Sequence, residues 1–254
     1  MSRGISRPLF PKPRPHLSAN TYAYESQPMV KPTGFREYDA RWLFEEEINL
    51  MGAQALGLGL ARLLKELGVP REIVVGHDFR SYSASIKLAL IAGLMAGGAK
   101  VSDIGLAITP MAYFAQFALD APAVAMVTAS HNDNGWTGVK MGAARPVTFG
   151  PEEMARLRDI VIGGDYGYEA GGGYEFVPDF PARYIADLTK RPKFSRRIKV
   201  VAACGNGTAG AFAPELLSAL GAEVVPLDCD LDSPSRATIR TPRTCICCTR
   251  WRRR

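Results

Sequence analysis

The alternation of apolar runs with amphipathic segments limits the possible folds of this 254-residue chain most strongly. Short, mainly apolar runs predict buried strands at EIVVGHD (72–78), KVSDIGL (100–106) and AVAMVTA (123–129). Segments with apolar residues at helical spacing accompany them, at 44–68, 83–97 and 109–118. Apolar strands that alternate with helices are typical of α/β proteins, because helices cover both faces of the sheet. The predicted fold is therefore α/β, with a mixed, mostly parallel sheet layered with helices.

Two of the predicted helices begin with acidic residues. Glu45, Glu46 and Glu47 fall in the first turn of the helix predicted over 44–68, which Gly68 ends. A proline followed by two glutamates opens the helix predicted over 151–161. Negative charge at these positions favours a helix because it compensates the positive end of the helix dipole.

Composition divides the chain into four segments. Residues 1–33 are rich in proline and are predicted to be a disordered lead, and residues 34–165 form the first α/β domain. Residues 166–232 are predicted to hold a linker and an incomplete second domain of the same type, which starts a strand–helix–strand unit and then stops. The linker prediction rests on the stretch 163–173, which contains six glycines.

The fourth segment, 233–254, is an aberrant basic tail without helical or strand periodicity. Codons exist for SRATIRTPRTCICCTRWRRR that, read one base out of frame, give FPRYNPNPEDLHMLHAMAAA. The second text has a proline-punctuated extended start and an amphipathic helical run, whereas an unconstrained tail rarely converts into ordered text. We therefore predict a one-base frameshift near Ser233, which resequencing across this codon would test.

Charge is distributed unevenly along the chain. The formal net charge is +6, yet residues 32–232 hold 19 basic and 24 acidic residues and carry −5. Nucleic-acid binding needs basic residues on the folded body, so we expect no nucleic-acid partner. No run of eighteen apolar residues and no apolar signal region is present, so we expect a cytoplasmic protein without a membrane partner. The sequence does not predict an oligomeric state.

Five cysteines are present. Cys204 and Cys229 end apolar strand-like runs and are predicted to be buried free thiols in a reducing compartment. Cys245, Cys247 and Cys248 form a C-x-C-C pattern that lacks a second ligand pair for zinc. The cysteines therefore predict no metal site.

The segment VTASHNDNGWTGVKMG (127–142) is the most informative for chemistry. It runs from a buried strand into a small-residue turn with Ser130 and His131, and Lys140 follows. Reactive groups are often displayed at strand ends of α/β sheets, and Lys140 could neutralise an anion or accept a proton there. A polar turn between two apolar segments is the alternative. A serine hydrolase is disfavoured, because the G-x-S-x-G elbow is missing and neighbours on an extended segment point to opposite sides.

Two other segments carry arginines near predicted strands or helices. TGFREYDARW (33–42) holds Arg36 and Arg41, which suit bidentate phosphate contacts, although an internal ion-pair network would explain them equally well. VGHDFRSYS (75–83) holds Asp78 and Arg80, which could anchor the other segments by hydrogen bonds. A structural helix cap is the preferred interpretation of this third segment.

A glycine-rich turn at 205–210, GNGTAG, matches the G-x-G-x-x-G dinucleotide pattern. It follows a strand, and Asp228 lies about where a ribose-binding acid would occur. A Rossmann domain needs several more strands than the remaining sequence supplies. Close packing at a strand-to-helix turn is therefore preferred, and a dinucleotide-dependent oxidoreductase stays as a lesser alternative.

Three of these motifs together resemble the α-D-phosphohexomutases of the phosphomannomutase/phosphoglucomutase type. TASHN with GVKMG resembles their phosphoserine loop, FREYDAR their opening signature and CGNGTAG the start of their second domain. The resemblance covers about residues 30–232 and implies α/β domains around a cleft. It also implies an isomerase of carbohydrate metabolism that shifts a phosphoryl group on a hexose phosphate through a bisphosphate intermediate.

The resemblance also implies roles for individual residues. Ser130 would carry the phosphoryl group, while His131 and Lys140 would move protons or hold the phosphate. Arg41 and Tyr38 would face the phosphoserine and the sugar. A divalent metal, Mg²⁺, is expected for the family, with Ser130 as one ligand through its phosphate. Which hexose phosphate is used cannot be inferred, because the sugar-selecting domain has no counterpart in this sequence.

This sequence departs from the family pattern in several places. Asp133 stands where proline often follows the phosphoserine loop, and Trp42 stands where glycine usually ends the opening signature. The aspartate-rich metal loop and the third and fourth domains have no counterpart here. We therefore expect no meaningful turnover from this chain alone, and a non-catalytic phosphate-binding remnant is the alternative function.

Overall fold

The computed structural model describes residues 27–190 and 193–231. Most of the predicted lead, the predicted frameshifted tail and the C-x-C-C cysteines lie outside these residues. Residues 27–33, predicted to be disordered, instead pack against the first domain. The amide of Met29 donates to the side chain of Asn49, and the indole of Trp42 donates to the carbonyl of Lys31 at 2.8 Å.

Strands and helices alternate along the described chain. The strands are β1 (Ala40–Leu43), β2 (Glu72–His77), β3 (Lys100–Leu106), β4 (Ala123–Val127), β5 (Trp136–Gly142), β6 (Gly173–Phe176), β7 (Lys199–Ala203) and β8 (Glu223–Leu227). The α-helices are α1 (Leu50–Glu66), α2 (Ser83–Ala96), α3 (Thr109–Ala118), α4 (Pro151–Gly163), α5 (Phe180–Thr189) and α6 (Ala213–Ala219). Within the described residues, no helix is long and apolar enough to cross a bilayer.

The first six strands form one sheet in the order β1-β5-β4-β2-β3-β6. Strand β2 pairs in parallel with both β3 and β4, and β3 pairs in parallel with β6. Strand β5 is antiparallel to both β1 and β4. The predicted mixed, mostly parallel α/β sheet is therefore confirmed. The antiparallel strands place the chemistry-bearing segments next to one another at one side of the sheet.

Alternate strand residues point into two apolar layers, one on each face of the sheet. Ile73 and Val75 of β2 pack with helices α1, α2 and α4, whereas Val74 packs with residues of α3 and with Phe180. Helices α1 and α2 approach closely because both carry glycine at the contact. A Cβ added at Gly93 would overlap the carbonyl of Gln54, closer than real Cβ atoms come.

Helix α1 begins later than the predicted start at residue 44. Asn49 is its N-cap, and the Asn49 side chain accepts from the amide of Gly52 at 2.7 Å. The acidic residues lie before the helix rather than in its first turn: Glu45 has a left-handed φ of 68°, and the carboxylate of Glu47 accepts from the amide of Leu43. An asparagine cap satisfies an otherwise free helix amide, which fixes the start after the glutamates.

Strand β6 starts at Gly173, the last residue of the predicted linker stretch, and joins the first sheet instead of leaving it. Glu169, in the same segment, forms ion pairs with Lys65 and Arg71 at 2.9 and 2.8 Å. The following strands β7 and β8 form a separate parallel pair with α6. The stretch that was predicted as a linker therefore packs on the first domain.

The two cysteines at the ends of β7 and β8 are half-buried, so the prediction that both are buried is wrong. The strand pair is only partly covered, and Val201 of β7 is 47% exposed. Burial raises the pKa of the Cys204 thiol to about 11, and the neighbouring thiol of Cys229 adds to the shift. Cys204 is therefore a protonated, weakly nucleophilic thiol at neutral pH.

Candidate active site

Strand β4 ends at Val127 and passes directly into the turn that carries Ser130. Ser130 is exposed and has a left-handed φ of 56°, and its amide donates to the hydroxyl of Thr128 at 3.0 Å. The preceding Ala129 is buried, so the turn is anchored on the sheet side. A non-glycine residue in this conformation costs about 1–3 kcal/mol and persists only where its surroundings hold it. The turn therefore presents the Ser130 hydroxyl outward from the strand end.

The turn also corrects the expected relation between Ser130 and His131. The prediction that these neighbours point to opposite sides assumed an extended backbone. Because the left-handed φ of Ser130 turns the chain, its Oγ lies 3.4 Å from Nδ1 of His131. His131 is exposed, and the serine hydroxyl lies beside its ring nitrogen instead of on the opposite side of the chain.

A buried carboxylate–guanidinium pair supports this turn from below. Asp78 follows β2 and binds the side chain of Arg80, and both side chains are at most 5% exposed. The second terminal nitrogen of Arg80 donates to the carbonyls of Ser130 and Asn132, at 3.4 and 2.8 Å. These contacts hold the two carbonyls that flank His131. Of the two segments that Asp78 and Arg80 were predicted to anchor, these contacts reach the serine turn.

Asp78 has further partners that exclude the preferred helix-cap interpretation. Its Oδ1 accepts from the hydroxyl of Ser83, and its Oδ2 accepts from the hydroxyl of Thr128 at 2.9 Å. Helix α2 starts at Ser83 without a side-chain cap. Asp78 therefore joins the start of α2 to the serine turn through side chains, rather than capping the helix backbone.

Pairing between β1 and β5 brings the predicted cations to the same place. Arg41 lies opposite Gly138, and Lys140 follows two residues later on the same face of β5. Asp39 accepts from Nε and Nη2 of Arg41 at 3.0 and 2.8 Å, and its Oδ2 lies 3.4 Å from Nζ of Lys140. The other terminal nitrogen of Arg41 donates to the side chain of Asn132. One hydrogen-bonded network therefore connects both cations to the serine turn.

Gly138 permits this close arrangement. A Cβ at this position would overlap the carbonyl oxygen of Ala40 and would lie 3.0 Å from that of Thr128. No side chain fits between the neighbouring strands there. The glycine of the G-x-K pattern is therefore required by packing, and it allows Arg41 to reach the serine turn.

The aromatic residues near the turn differ in exposure. Tyr38 is 59% exposed, next to the Asp39 network, and is available to a ligand. The Arg36 guanidinium stacks over the ring of Trp136 at 5.8 Å. Tyr38 thus lies near Arg41 and Lys140 because it precedes Asp39 in the sequence, and its side chain is open to solvent.

Tyr82 is a site residue that the sequence did not predict. Its hydroxyl accepts from the amide of Gly135 at 2.8 Å and donates to the carbonyl of Trp136 at 2.9 Å. Its ring stacks on Phe44 at 5.3 Å, and burial raises the pKa of Tyr82. Tyr82 therefore remains protonated, and its hydroxyl holds the backbone at Gly135 and Trp136, where the segment after the serine turn enters β5. No short motif marks it, because its partners are backbone groups fifty residues away.

A second charged cluster lies beneath β2 and β3. Lys87 binds both carboxylate oxygens of Asp103, at 2.8 and 2.6 Å, and Tyr174 of β6 donates to the same carboxylate. Burial lowers the pKa of the neighbouring His77, whose Nδ1 lies 2.7 Å from the carbonyl of Asp78. His77 is therefore neutral at physiological pH. This cluster joins strands and has the character of a structural support.

The described residues do not form a magnesium site by themselves. Across 27–190 and 193–231 there is no cluster of three or more histidine, cysteine, aspartate or glutamate side chains suited to a metal. Asp39 and Asp78 are already engaged by cations. Mg²⁺ prefers six oxygen ligands, and a phosphoryl group on Ser130 would supply only part of that set.

The glycine-rich turn at 205–210 packs closely, as preferred from the sequence. A Cβ at Gly210 would overlap the carbonyl of Cys229. The hydroxyl of Thr208 accepts from the amide of Phe79 at 3.2 Å, so this turn touches the segment between Asp78 and Arg80. In the described residues the turn is followed by a single further strand.

This chain is similar to known proteins in sequence and in fold. The sequence model of the family described as "Phosphoglucomutase/phosphomannomutase, alpha/beta/alpha domain I" matches residues 32–166. The "Phosphomannomutase/phosphoglucomutase" of Pseudomonas aeruginosa is 32% identical over 205 residues, 81% of this chain and 43% of that protein. The "Phosphomannomutase" of Escherichia coli is 33% identical, covering 78% of this chain and 44% of its own length.

A solved structure agrees with these relatives. A "Phosphoglucomutase/phosphomannomutase family protein" from Burkholderia thailandensis superposes with a TM-score of 0.75 at 29% identity, covering 80% of this chain and 45% of its own. The chain thus spans less than half the length of the relatives and of the structure it matches.

Proposed function

Because the chain belongs to the phosphoglucomutase/phosphomannomutase family, we propose that it carries the phosphoryl-accepting part of a phosphohexomutase. The complete reaction is the isomerisation of a hexose phosphate, such as mannose or glucose phosphate, by a reversible 1,6-phosphoryl shift. Relatives named phosphomannomutase and phosphoglucomutase support this substrate class. Since the chain matches less than half of each relative, the proposal concerns the serine-bearing step first.

The proposed step exchanges one phosphate ester for another. The bond between phosphorus and Oγ of phosphorylated Ser130 breaks, and a bond forms between phosphorus and a sugar hydroxyl oxygen, which loses its proton. The product is a hexose bisphosphate and a free serine. After the sugar turns over, its other phosphoryl group returns to Ser130 by the reverse exchange, so no phosphate is gained or lost. Transfer of this kind depends mainly on positioning and on neutralising charge.

The residues of the turn suit separate tasks in this step. Arg41 and Lys140 neutralise the negative charge of the transferring group. His131, 3.4 Å from the serine oxygen, moves the proton. Tyr38 is exposed beside this network and faces the sugar together with Arg41.

One observation carries the proposal. An exposed serine in a left-handed conformation has its own carbonyl and that of Asn132 held by the buried Arg80, and Arg41 contacts the same turn through the side chain of Asn132. A polar turn without function would need neither the strained residue nor the two converging guanidinium groups.

The chain alone is proposed to lack meaningful turnover. The described residues supply no complete ligand set for Mg²⁺, and the relatives contain more than twice the matched length. Phosphorylation of Ser130 without turnover would then be the property of a phosphate-binding remnant, which is the second candidate function.

Intact-mass measurement of the purified chain after incubation with glucose 1,6-bisphosphate and Mg²⁺ tests the proposal. We expect one added phosphoryl group in the native chain and in Ser195→Ala, an exposed serine elsewhere, but none in Ser130→Ala. Modification that survives in Ser130→Ala would contradict the assignment. A coupled mutase assay on the same samples separates the two candidates, because robust turnover would overturn the proposed inactivity. Binding of a nicotinamide dinucleotide would instead favour the oxidoreductase alternative.

A further inference from the structure

Asp39 is a buried carboxylate shared by the two cations of the serine site. Its side chain is only 12% exposed. A single oxygen, Oδ2, accepts two hydrogen bonds from Arg41 and lies 3.4 Å from Nζ of Lys140. Two cations that converge on one oxygen are held at a fixed separation, although their own charges repel each other.

The contacts of Asp39 also fix the direction of the Arg41 guanidinium. Nε and Nη2 are bound to Asp39, and Nη1 donates to Asn132 on the serine turn. A guanidinium has five N–H donors in one plane, so two remain free after these three contacts. Contacts on two sides of the guanidinium fix its plane, so the directions of the two free N–H donors are set before an anion binds.

Simple anion binding does not explain this carboxylate. Asp39 lowers the local charge of the Arg41–Lys140 pair from +2 to +1, which weakens the attraction for a phosphate. Asp39 lies before β1, whereas Lys140 is 101 residues away on β5, so the contact also ties two strands. The carboxylate instead fixes the positions of Arg41 and Lys140 relative to each other.

We propose that Asp39 is a positioning residue for phosphoryl transfer at Ser130, and that it acts by orienting Arg41 and Lys140. This inference rests on the function proposed above. It predicts a division between binding and rate: removing the Asp39 charge leaves donor binding unchanged or tighter, yet slows the transfer step. Misplacement of a catalytic group by about 1 Å costs on the order of 100-fold in rate.

The full chain and its variants are incubated with a concentration series of glucose 1,6-bisphosphate, and phosphorylation is followed by intact mass. For Asp39→Asn we expect a limiting rate about tenfold or more below the native rate. The half-saturating donor concentration should be unchanged or lower. Asp39→Glu, which keeps the charge one methylene further out, should fall between the two. The matched control Asp159→Asn, from an exposed pair with Arg158, should keep the native rate.

A second measurement separates failure of this inference from failure of the proposed function. The side-chain Nε–H resonance of Arg41, followed by NMR, reports the orientation without any reaction. It should be protected from solvent exchange in the native chain and in Asp39→Glu, and lost in Asp39→Asn at an unchanged melting temperature. If the native chain is not phosphorylated, the proposed function fails while this comparison still tests Asp39.

Two outcomes would overturn the inference. The first is an Asp39→Asn variant that keeps both the protected resonance and a rate within about twofold of native. The second outcome applies if Asp39→Asn does not fold. Asp39→Glu is then the deciding variant, and a native rate of phosphorylation in Asp39→Glu would contradict a positioning role.

Discussion

Replacing Gly138 by alanine tests whether the approach of β1 to β5 positions the site. The added Cβ would lie closer than 3.0 Å to the carbonyl oxygen of Ala40 and 3.2 Å from Cγ of Arg41. The first neighbour is backbone and cannot rotate away, so the strands must separate. Overpacking of this kind costs about 3 kcal/mol. For a chain of this size the melting temperature should fall by roughly 6–12 °C.

The assay combines thermal and urea unfolding, both followed by circular dichroism, with Ser130 phosphorylation under conditions where the variant is folded. Strand separation displaces Arg41, so phosphorylation should slow by about tenfold or more. The matched control is Gly163→Ala, at the end of α4, where an added Cβ meets no atom within 4 Å. That substitution should be neutral or stabilise by up to about 1 kcal/mol. A Gly138→Ala variant as stable as Gly163→Ala would refute the close-packing argument.

Three further changes test other parts of the structure. Gly93→Ala should lower the free energy of unfolding by about 1–3 kcal/mol, because the Cβ overlaps the Gln54 carbonyl in α1; urea denaturation measures it, and no change would contradict the close helix contact. Arg80→Met leaves Asp78 buried without its guanidinium and should cost about 3 kcal/mol or more in the same assay, whereas a loss below about 1 kcal/mol would argue against the buried pair. Burial lowers the pKa of His77, so the unfolded chain binds the proton first. The stability from His77 is present above about pH 6.5 and is lost as pH falls below it. Urea denaturation at pH 7.5 and at pH 5.5 should therefore show a smaller loss in the free energy of unfolding for His77→Gln than for the native chain. Equal losses in the two proteins would exclude His77 as the cause.

Sequence reasoning succeeded where the signal was local. The α/β sheet followed from the apolar periodicity of β2, β3 and β4, since burial on both faces leaves a continuous apolar run. Ser130, Arg41 and Lys140 were chosen because reactive and cationic residues occurred in short, unusual segments; the structure brings these segments together, and the roles of the three residues stay predictions. The start of α1 was misplaced, because three glutamates outweighed the single Asn49 that caps the helix.

The sequence did not predict most of the hydrogen-bond partners of these residues. The assumption of extended backbone failed at Ser130, whose left-handed conformation places its hydroxyl near His131. The support from Arg80 was only the less favoured alternative to a helix cap, and the contact of Tyr82 was missed. These contacts go mostly to backbone groups, which carry no residue-specific pattern.

The sequence by itself determined the layered fold and the chemical types available at the strand ends. Both are set by local periodicity and by residue identity. Only the tertiary structure decided that Arg41 meets Asn132, 91 residues away, and that Asp39 meets Lys140, 101 residues away. Such contacts depend on strand order and register, which are fixed by the packing of the whole sheet rather than by any short segment.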